Sequence, residues 1–426
     1  MKKALVIQLA RFGDIIQTKR LVLTLLRRFD EVHIAVDDSL KSLTSMVYPA
    51  ACVHGLAVHS ATCPTDVLSR NVKSFGKLAG IQFDAVYNLN FSRLSMALSA
   101  LFDAESVHGY RMEAGQPVVP EWPRLAFRWT KKRRLAPVNL VDFWAGFASR
   151  PISAGEVNPI ASRKGGGIGV VLAGRESRRS LPPNVLARCV KAVFEGLDGP
   201  KITLLGSKAE SALARQVQRH FSGPMVERTE NLAGRTDYAA LAEVVDTFDT
   251  LLTPDTGTMH LAAHLGTPVQ SFFLSSAWCF ETGPYGMGHR VWQGIVECTP
   301  CEEARPCPVN VACLNAFSDE RFLKVLAGRF GDEYPPAMMG LVSVLDDVGT
   351  TYLPVFGEDA AASARRQLRL LLADYLSRGV ESSSAAMLGV FDDGSNHSHE
   401  LAQMIFSESD WMLGYDDSAE FAGGGA

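Results

Sequence analysis

Two histidines stand four residues apart in the stretch PDTGTMHLAAHLGTP, residues 254–268, and two kinds of site fit this pattern. On a helix, His260 and His264 would share one face, as two ligands of a metal ion do. The same stretch also reads as a loop that becomes a helix, with small and hydroxyl residues at its start. Such a start presents free backbone N–H groups and the positive end of the helix dipole, which suit a diphosphate.

The first turn of this predicted helix carries the groups that an anion site needs. Asp255 is placed to cap the helix, and Thr256, Gly257 and Thr258 follow in its first turn. Gly257 would let a ligand approach the backbone closely. An ordinary capped helix after a buried strand explains the same residues, so the stretch alone leaves both interpretations open.

The turn in QLARFGDIIQT follows the first predicted strand and carries a carboxylate. Asp14 could accept a proton from a substrate hydroxyl, or it could cap the next helix. Gly13 and Arg11 belong to the same turn, and we assign both to the side that meets the acceptor. From the residues alone, the capping interpretation of Asp14 is favoured.

Two further strand ends carry candidate binding residues. Arg175, Arg178 and Arg179 crowd the loop AGRESRRSLP, and arginines in such a loop suit phosphate, although a solvated turn explains them too. In GSKAES, Glu210 is positioned to bond the sugar hydroxyls of a nucleotide, but glutamate is also common in the first turn of a helix.

Four of the eight cysteines crowd into the segment CTPCEEARPCPVNVAC, with the spacing C-x2-C-x5-C-x5-C. Four thiolates in a short loop suit tetrahedral zinc or iron, whereas free thiols or disulfides are the alternatives. A structural metal is the interpretation that we favour for a cytosolic protein, and zinc, iron and an iron–sulfur cluster stay open. The predicted ligands are Cys298, Cys301, Cys307 and Cys313.

Strands alternate with helices along most of the chain, which predicts βαβ units and parallel sheets. We predict an amino-terminal domain over residues 1–158 and a second domain over 159–330, joined by a polar, glycine-rich linker. Two such halves would face across a cleft, with ligands at the carboxyl ends of the strands. Residues 331–426 are predicted to form a helical extension and a disordered acidic tail, because no Lys or Arg follows Arg378.

The composition excludes several classes of protein. Hydrophobic residues make up 47% and charged residues 21% of the chain, a balance typical of globular proteins, and the net charge of -4 argues against a nucleic-acid binder. The apolar part of the amino terminus is short and is interrupted by Arg11 and Asp14, so it indicates a first strand and a cytoplasmic protein. The basic run at residues 130–134 is either a solvated face or a contact for an anionic acceptor or membrane surface.

Together, these motifs resemble the ADP-heptose heptosyltransferases of glycosyltransferase family 9. RFGDIIQT resembles the family's "GD" loop, and DTGTMHLAAHLG followed by GPYG resembles its most characteristic block. RSLP resembles its lysine–x–tryptophan–proline turn, and GSKAE resembles its ribose loop. The resemblance covers residues 3 to 330 and implies a GT-B fold of two Rossmann-like domains with metal-independent, inverting sugar transfer.

The resemblance also implies roles for individual residues. Asp14 maps onto the catalytic base. Donor-binding positions are implied for Arg179, Glu210, Asp255, Thr256, Gly257 and His260, and the helix start adds Thr258 to them. The chain departs from the family where Arg and Leu replace the Lys and Trp of the turn, and at His264, where the family has a small residue. The cysteine loop resembles the iron-binding finger of autotransporter protein heptosyltransferases.

The sequence therefore predicts transfer of a heptose-like sugar from an ADP-heptose-like donor to a hydroxyl of a cell-envelope glycan or protein. No catalytic cofactor is expected, and a structural zinc or iron is expected at the cysteine loop. The expected location is the cytoplasm or the inner face of the membrane, with at most peripheral membrane contact. A nucleotide-sugar epimerase and a non-catalytic assembly protein that binds a sugar nucleotide are the alternatives.

Overall fold

The computed structural model describes residues 1–58, 64–174, 177–331 and 333–378, and these divide into two compact units. The first unit comprises residues 1–137, 141–152 and the described residues from 366 onward. The second unit comprises residues 138–140 and 153–365. One boundary, at residues 152 and 153, falls within the polar segment that the sequence indicates as a linker. Arg175 and the acidic tail beyond Arg378 lie outside the described residues.

The first unit is built on a parallel sheet with the strand order β3-β2-β1-β4-β5, and a short antiparallel pair, β6 and β7, accompanies it. Its strands are β1 (Lys3–Ile7), β2 (Glu31–Asp37), β3 (Cys52–Leu56), β4 (Ala85–Asn88), β5 (Val107–Gly109), β6 (Arg111–Glu113) and β7 (Gln116–Val118). Its helices are α1 (Phe12–Gln17), α2 (Lys19–Leu26), α3 (Lys41–Val47), α4 (Pro64–Ala79), α5 (Arg93–Ser99), α6 (Glu121–Arg128) and α7 (Leu140–Ala145).

The apolar run KALVI becomes β1 at the centre of this sheet because its side chains can be buried on both faces. Leu5 and Ile7 are 0% exposed and belong to the core of the unit. A buried ion pair also ties α2 to α7, since Arg20 Nη1 lies 2.6 Å from Asp142 Oδ1. The Nε of Arg20 donates to the carbonyl oxygen of Ile152 at 2.9 Å.

The second unit is built on a larger sheet with the order β10-β9-β8-β11-β12-β13-β14-β15. The strands from β10 to β13 run parallel, and β14 and β15 are antiparallel additions at one edge. These strands are β8 (Ile168–Val171), β9 (Ile202–Leu205), β10 (Thr229–Asn231), β11 (Thr250–Pro254), β12 (Val269–Phe273), β13 (Arg290–Gly294), β14 (Met338–Leu345) and β15 (Thr350–Phe356).

The helices of the second unit follow its strands as a doubly wound fold requires. They are α8 (Pro183–Gly196), α9 (Ser211–Gln218), α10 (Pro224–Glu227), α11 (Tyr238–Val245), α12 (Gly257–Leu265), α13 (Cys279–Thr282) and α14 (Glu320–Leu326). Proline begins α8 because the first turn of a helix does not need its missing N–H. The core of the unit collects the apolar faces of these helices and strands, including Leu204, Leu252 and Phe272.

The prediction of a helical extension from residue 331 is wrong for residues 338–356. These residues form the hairpin β14–β15, which pairs with β13 and so satisfies the backbone groups of that strand's open edge. The predicted amphipathic helix after the hairpin is confirmed as α15 (Ala362–Arg378). Of the helices in the described ranges, none has the length and apolar character needed to cross a membrane.

Candidate functional site

The predicted donor-site residues lie at the carboxyl edge of the second sheet, each in the segment after a different strand. Arg179 ends a short 3-10 turn, Ser177–Arg179, that follows β8. Glu210 ends the turn Lys208–Glu210 after β9, and Asp255 comes directly after β11. Loops at this edge of an open parallel sheet are the usual place for a ligand.

The helix α12 begins as an anion site would, but its cap differs from the prediction. Thr256, not Asp255, is the capping residue, because its side chain accepts a hydrogen bond from the N–H of Met259 at 3.3 Å. Gly257 and Thr258 then form the first turn. The first N–H groups of a helix have no partner within the helix, and together with the positive end of the helix dipole they suit an anion.

Asp255 is engaged by two side chains instead of by the helix. Its Oδ2 accepts a hydrogen bond from Arg179 Nη2, and it accepts a second from Thr282 Oγ1 at 2.8 Å. The side chain of Asp255 is 7% exposed, so this carboxylate is held firmly at the start of α12. Thr282 was not identified as a site residue from the sequence, although it directly precedes the GPYG block.

His260 lies one turn into α12 and is buried. Burial lowers the pKa of its imidazole to about 4, against a smaller opposing effect of the Asp255 carboxylate, whose Oδ1 is 3.9 Å from His260 Nε2. The ring is therefore neutral near pH 7 and can offer a hydrogen bond but no positive charge. His264 lies one turn further on and is half-buried. Among the described residues, no third candidate ligand joins these two histidines to form a metal site.

Both described arginines of the AGRESRRSLP loop contact the cysteine loop, by which we mean residues 298–313. Arg179 Nη1 lies 3.3 Å from Glu303 Oε2, so this guanidinium faces two carboxylates, those of Asp255 and Glu303. Arg178 donates to the backbone carbonyl oxygens of Arg305, at 2.7 Å, and of Glu303. Glu303 was also missed by the sequence analysis, where it stood only as one of two glutamates between cysteines.

Glu210 caps the turn in which it lies. Its Oε2 accepts a hydrogen bond from the backbone N–H of Ser207 at 2.5 Å, and the Ser207 side chain completes a capping box. The ordinary structural interpretation of this glutamate is thus realised. Its contact with the sugar hydroxyls of a nucleotide stays a prediction.

The Asp14 turn lies in the first unit, after β1. Arg11 is the capping residue of α1, and the Asp14 carboxylate accepts a hydrogen bond from the Arg11 N–H at 3.1 Å. Asp14 therefore does not cap α1 itself but bonds back to the capping residue from within the first turn, which is compatible with a second role because a carboxylate has several acceptor positions. Gly13 lies within the first turn of the same helix. The catalytic role of Asp14 and the acceptor-side roles of Arg11 and Gly13 stay predictions.

Polar residues that the sequence analysis did not single out fix this turn. Asn90, after β4, donates to Gln8 Oε1 at 2.7 Å and accepts from the Leu9 N–H at 2.5 Å. Gln8 in turn contacts Thr18 Oγ1 at 3.2 Å, and that hydroxyl donates to the carbonyl of Asp14 at 2.7 Å. The signal for Asn90 in the sequence was the pair of asparagines, Asn88 and Asn90, at the end of the apolar stretch that forms β4.

Three thiols of the cysteine loop act on the fourth, but the described residues do not form a closed metal site. Burial raises the pKa of the Cys313 thiol, and the thiols of Cys301, Cys298 and Cys307 raise it further. The N–H groups of Val311 and Val309 lower the pKa of Cys307. In the parts of the chain that the structure describes, no group of three or more candidate ligands is arranged to hold one ion.

The solved structures that this chain resembles include heptosyltransferases. E. coli ADP-heptose LPS heptosyltransferase II is 15% identical, with a TM-score of 0.54 over 76% of this chain and 99% of its own. A family 9 glycosyl transferase from Veillonella parvula DSM 2008 is 15% identical, with a TM-score of 0.53 over 70% and 88%. E. coli heptosyltransferase WaaC with ADP is 16% identical, with a TM-score of 0.51 over 67% and 91%. These likenesses establish the fold class as GT-B.

A match to a family model makes the class more specific. The model of glycosyltransferase family 9 (heptosyltransferase) matches residues 192–310, which run from α8 into the cysteine loop. No curated protein sequence gives a significant match. The predicted resemblance to family 9 is thereby confirmed, and the class of enzyme that these findings support is a glycosyltransferase.

Proposed function

We propose that this protein is an inverting glycosyltransferase that moves a heptose-like sugar from a nucleoside-diphosphate sugar to a hydroxyl of a cell-envelope glycan or protein. The observation that carries this proposal is the cluster of Arg179, Asp255 and Thr282 beside the Thr256-capped start of α12. This cluster joins a guanidinium, a fixed carboxylate and free helical N–H groups at the ligand-binding edge of a parallel sheet.

The leaving group is a nucleoside diphosphate, and its negative charge grows as the bond to the sugar breaks. Arg179 supplies a permanent positive charge, and the N–H groups of Gly257 and Thr258 supply the positive end of α12. Neutral His260 supplies at most a hydrogen bond, and Glu210 is proposed to bind the ribose. These groups can stabilise the developing charge, so the proposed reaction uses no catalytic metal.

Asp14 is proposed to act on the acceptor. Its carboxylate removes the proton from the acceptor hydroxyl as that oxygen attacks the anomeric carbon of the sugar. The hydroxyl oxygen forms the new glycosidic bond, the bond to the diphosphate breaks, and the proton stays on Asp14 until solvent takes it. Arg11 and Gly13, in the same turn, are proposed to contact the acceptor.

A thermal-shift panel of nucleotide-sugars tests this proposal. ADP-heptose is expected to bind more tightly than UDP- or GDP-sugars and therefore to raise the melting temperature more. A ligand at 100 times its Kd stabilises the native state by about 2.7 kcal/mol. The stabilising donor should then release nucleoside diphosphate only when an acceptor glycan or protein is added. Absence of any shift, or conversion of the donor without an acceptor, would contradict the proposed transfer.

We also propose that Cys298, Cys301, Cys307 and Cys313 bind one structural zinc or iron ion. Sulfur donors suit both metals, and the thiols of Cys301, Cys298 and Cys307 all raise the pKa of Cys313, which supports the convergence of the four side chains. The N–H of Val311 donates to Cys307 Sγ at 3.1 Å and favours its thiolate, the form that binds metal.

Metal analysis of the purified protein should find about one ion per chain, as expected for a four-thiolate site. The double variant C298S/C301S should lose that ion and melt at a lower temperature. Cys52, an exposed cysteine outside the loop, provides the control C52S, which should keep both metal and melting temperature. Equal metal contents in the three proteins would rule out the site.

A further inference from the structure

The backbone of the cysteine loop is fastened to Arg178, the neighbour of Arg179 in the proposed donor site. Arg178 donates to the carbonyl oxygens of Glu303 and Arg305, so this part of the loop is joined to the 3-10 turn Ser177–Arg179. These bonds do not involve the Glu303 side chain, which pairs with Arg179. The backbone of Glu303 can therefore stay beside Arg179 when its carboxylate moves away.

The two carboxylates that face Arg179 differ in how firmly they are held. Asp255 is 7% exposed and also accepts a hydrogen bond from Thr282. Glu303 is 43% exposed, and its Oε2 lies 3.3 Å from Arg179 Nη1. A half-exposed ion pair contributes little to stability, so Glu303 can leave at small cost whereas Asp255 stays.

The charges around Arg179 oppose an incoming diphosphate as long as Glu303 remains. Two carboxylates face the single guanidinium of Arg179 and offset its positive charge, and the Glu303 carboxylate repels a phosphate that approaches the same guanidinium. The Nε of Arg179 is buried and has no hydrogen-bond partner among the described residues, so the donors that a ligand can reach are on the two terminal nitrogens, which face Asp255 and Glu303. A phosphate oxygen that approaches Nη1 meets the Glu303 carboxylate there, and its attraction to the guanidinium is strongest when that carboxylate moves away.

We propose that Glu303 competes with the donor diphosphate for Arg179. Its carboxylate is displaced when the nucleotide-sugar binds and returns to Nη1 as the nucleoside diphosphate leaves, which limits product affinity. This inference rests on the proposed function, because it takes Arg179 as a phosphate-binding group. It adds Glu303 as a residue that sets affinity for the diphosphate. From the sequence, the loop that carries Glu303 was predicted only to bind a metal.

Calorimetric titration with ADP and with inorganic pyrophosphate tests the competition. E303Q should bind both anions about three- to tenfold more tightly than the unaltered protein, because the competing charge is gone while the side chain keeps its size. Glu302 provides the matched control, since it pairs with Arg305 at 2.6 Å and is itself well exposed. E302Q removes the same charge from the same loop and should stay within about twofold of the unaltered protein, as an exposed pair predicts.

The results separate this inference from the function on which it rests. The gain in E303Q should shrink in high salt, where exposed charges are screened. If E302Q and E303Q bind ADP equally tightly, or if E303Q binds it more weakly than the unaltered protein, the competition is excluded while the donor site stands. If neither anion binds to any of the three proteins, the proposed function fails and this inference fails with it.

Discussion

Replacement of Asp14 by asparagine is expected to lower kcat by about 10²-fold or more, as the loss of a general base predicts. Asparagine cannot take the proton of the acceptor hydroxyl. Its amide oxygen can still accept the hydrogen bond from the Arg11 N–H, which the Asp14 carboxylate accepts at 3.1 Å. The helix cap and the fold should therefore survive, and the melting temperature should fall only slightly. The rate is measured as release of nucleoside diphosphate in the presence of acceptor.

An aspartate that caps a turn elsewhere in the first unit provides the matched control for this variant. Asp103 accepts a hydrogen bond from the Glu105 N–H at 3.3 Å and precedes the 3-10 turn Ala104–Ser106. D103N makes the same chemical change at a cap and should leave kcat unaltered. Donor affinity, measured by calorimetry, should be equal in D14N and D103N. If D14N keeps a near-normal kcat, Asp14 is a helix cap and no more.

The buried strands could be predicted from sequence because burial on two faces requires continuous apolar runs. KALVI and TLLTP give β1 and β11 at the positions where those runs occur. The edge strand β3, CVHGL, was not predicted because its residues are mostly half-exposed and include a histidine and a glycine. Its strand conformation is fixed by parallel pairing with β2, and the local pattern of residue types does not indicate this contact.

The donor site was predictable as a region but not in its contacts. Asp255 and Thr256 are both good capping residues, so their order along the chain could not decide which one caps α12. Arg179, which comes 76 residues earlier, donates a hydrogen bond to Asp255, and Thr256 therefore caps the helix. Glu303, 124 residues from Arg179, enters the site through an equally long-range contact.

Two assignments show how one residue can satisfy a structural and a functional interpretation. Asp14 and Glu210 both lie in a first turn and bond back to the backbone of the residue that caps it. Capping occupies one carboxylate oxygen on the backbone N–H of Arg11 or of Ser207. A fixed carboxylate is also what a catalytic base or a ribose ligand requires, because its position is then set before substrate arrives. Geometry alone therefore does not distinguish the structural role from the functional one, and the variants are needed to do so.

Replacement of Arg179 by methionine is expected to weaken binding of ADP by about 10²-fold, near the upper end of what the loss of a single charge-assisted hydrogen bond causes. The reason is Asp255, which is 7% exposed and loses its partner guanidinium in this variant. An uncompensated carboxylate then faces the diphosphate and repels it. R179K keeps a positive charge without the planar fork and should fall between R179M and the unaltered protein. Affinity is measured by calorimetry and stability by the melting temperature.

The double variant R179M/D255N separates lost attraction from added repulsion. Because asparagine removes the orphaned charge, the double variant should recover part of the ADP affinity and of the melting temperature that R179M loses, a non-additive result. Arg188, which pairs with Glu320 elsewhere in the second unit, gives the control R188M, expected to bind ADP normally. If R179M binds ADP like R188M, Arg179 does not contact the diphosphate, and its pairing with Asp255 serves the fold alone. Additive effects in the double variant would instead mean that Asp255 bears on the diphosphate independently of Arg179.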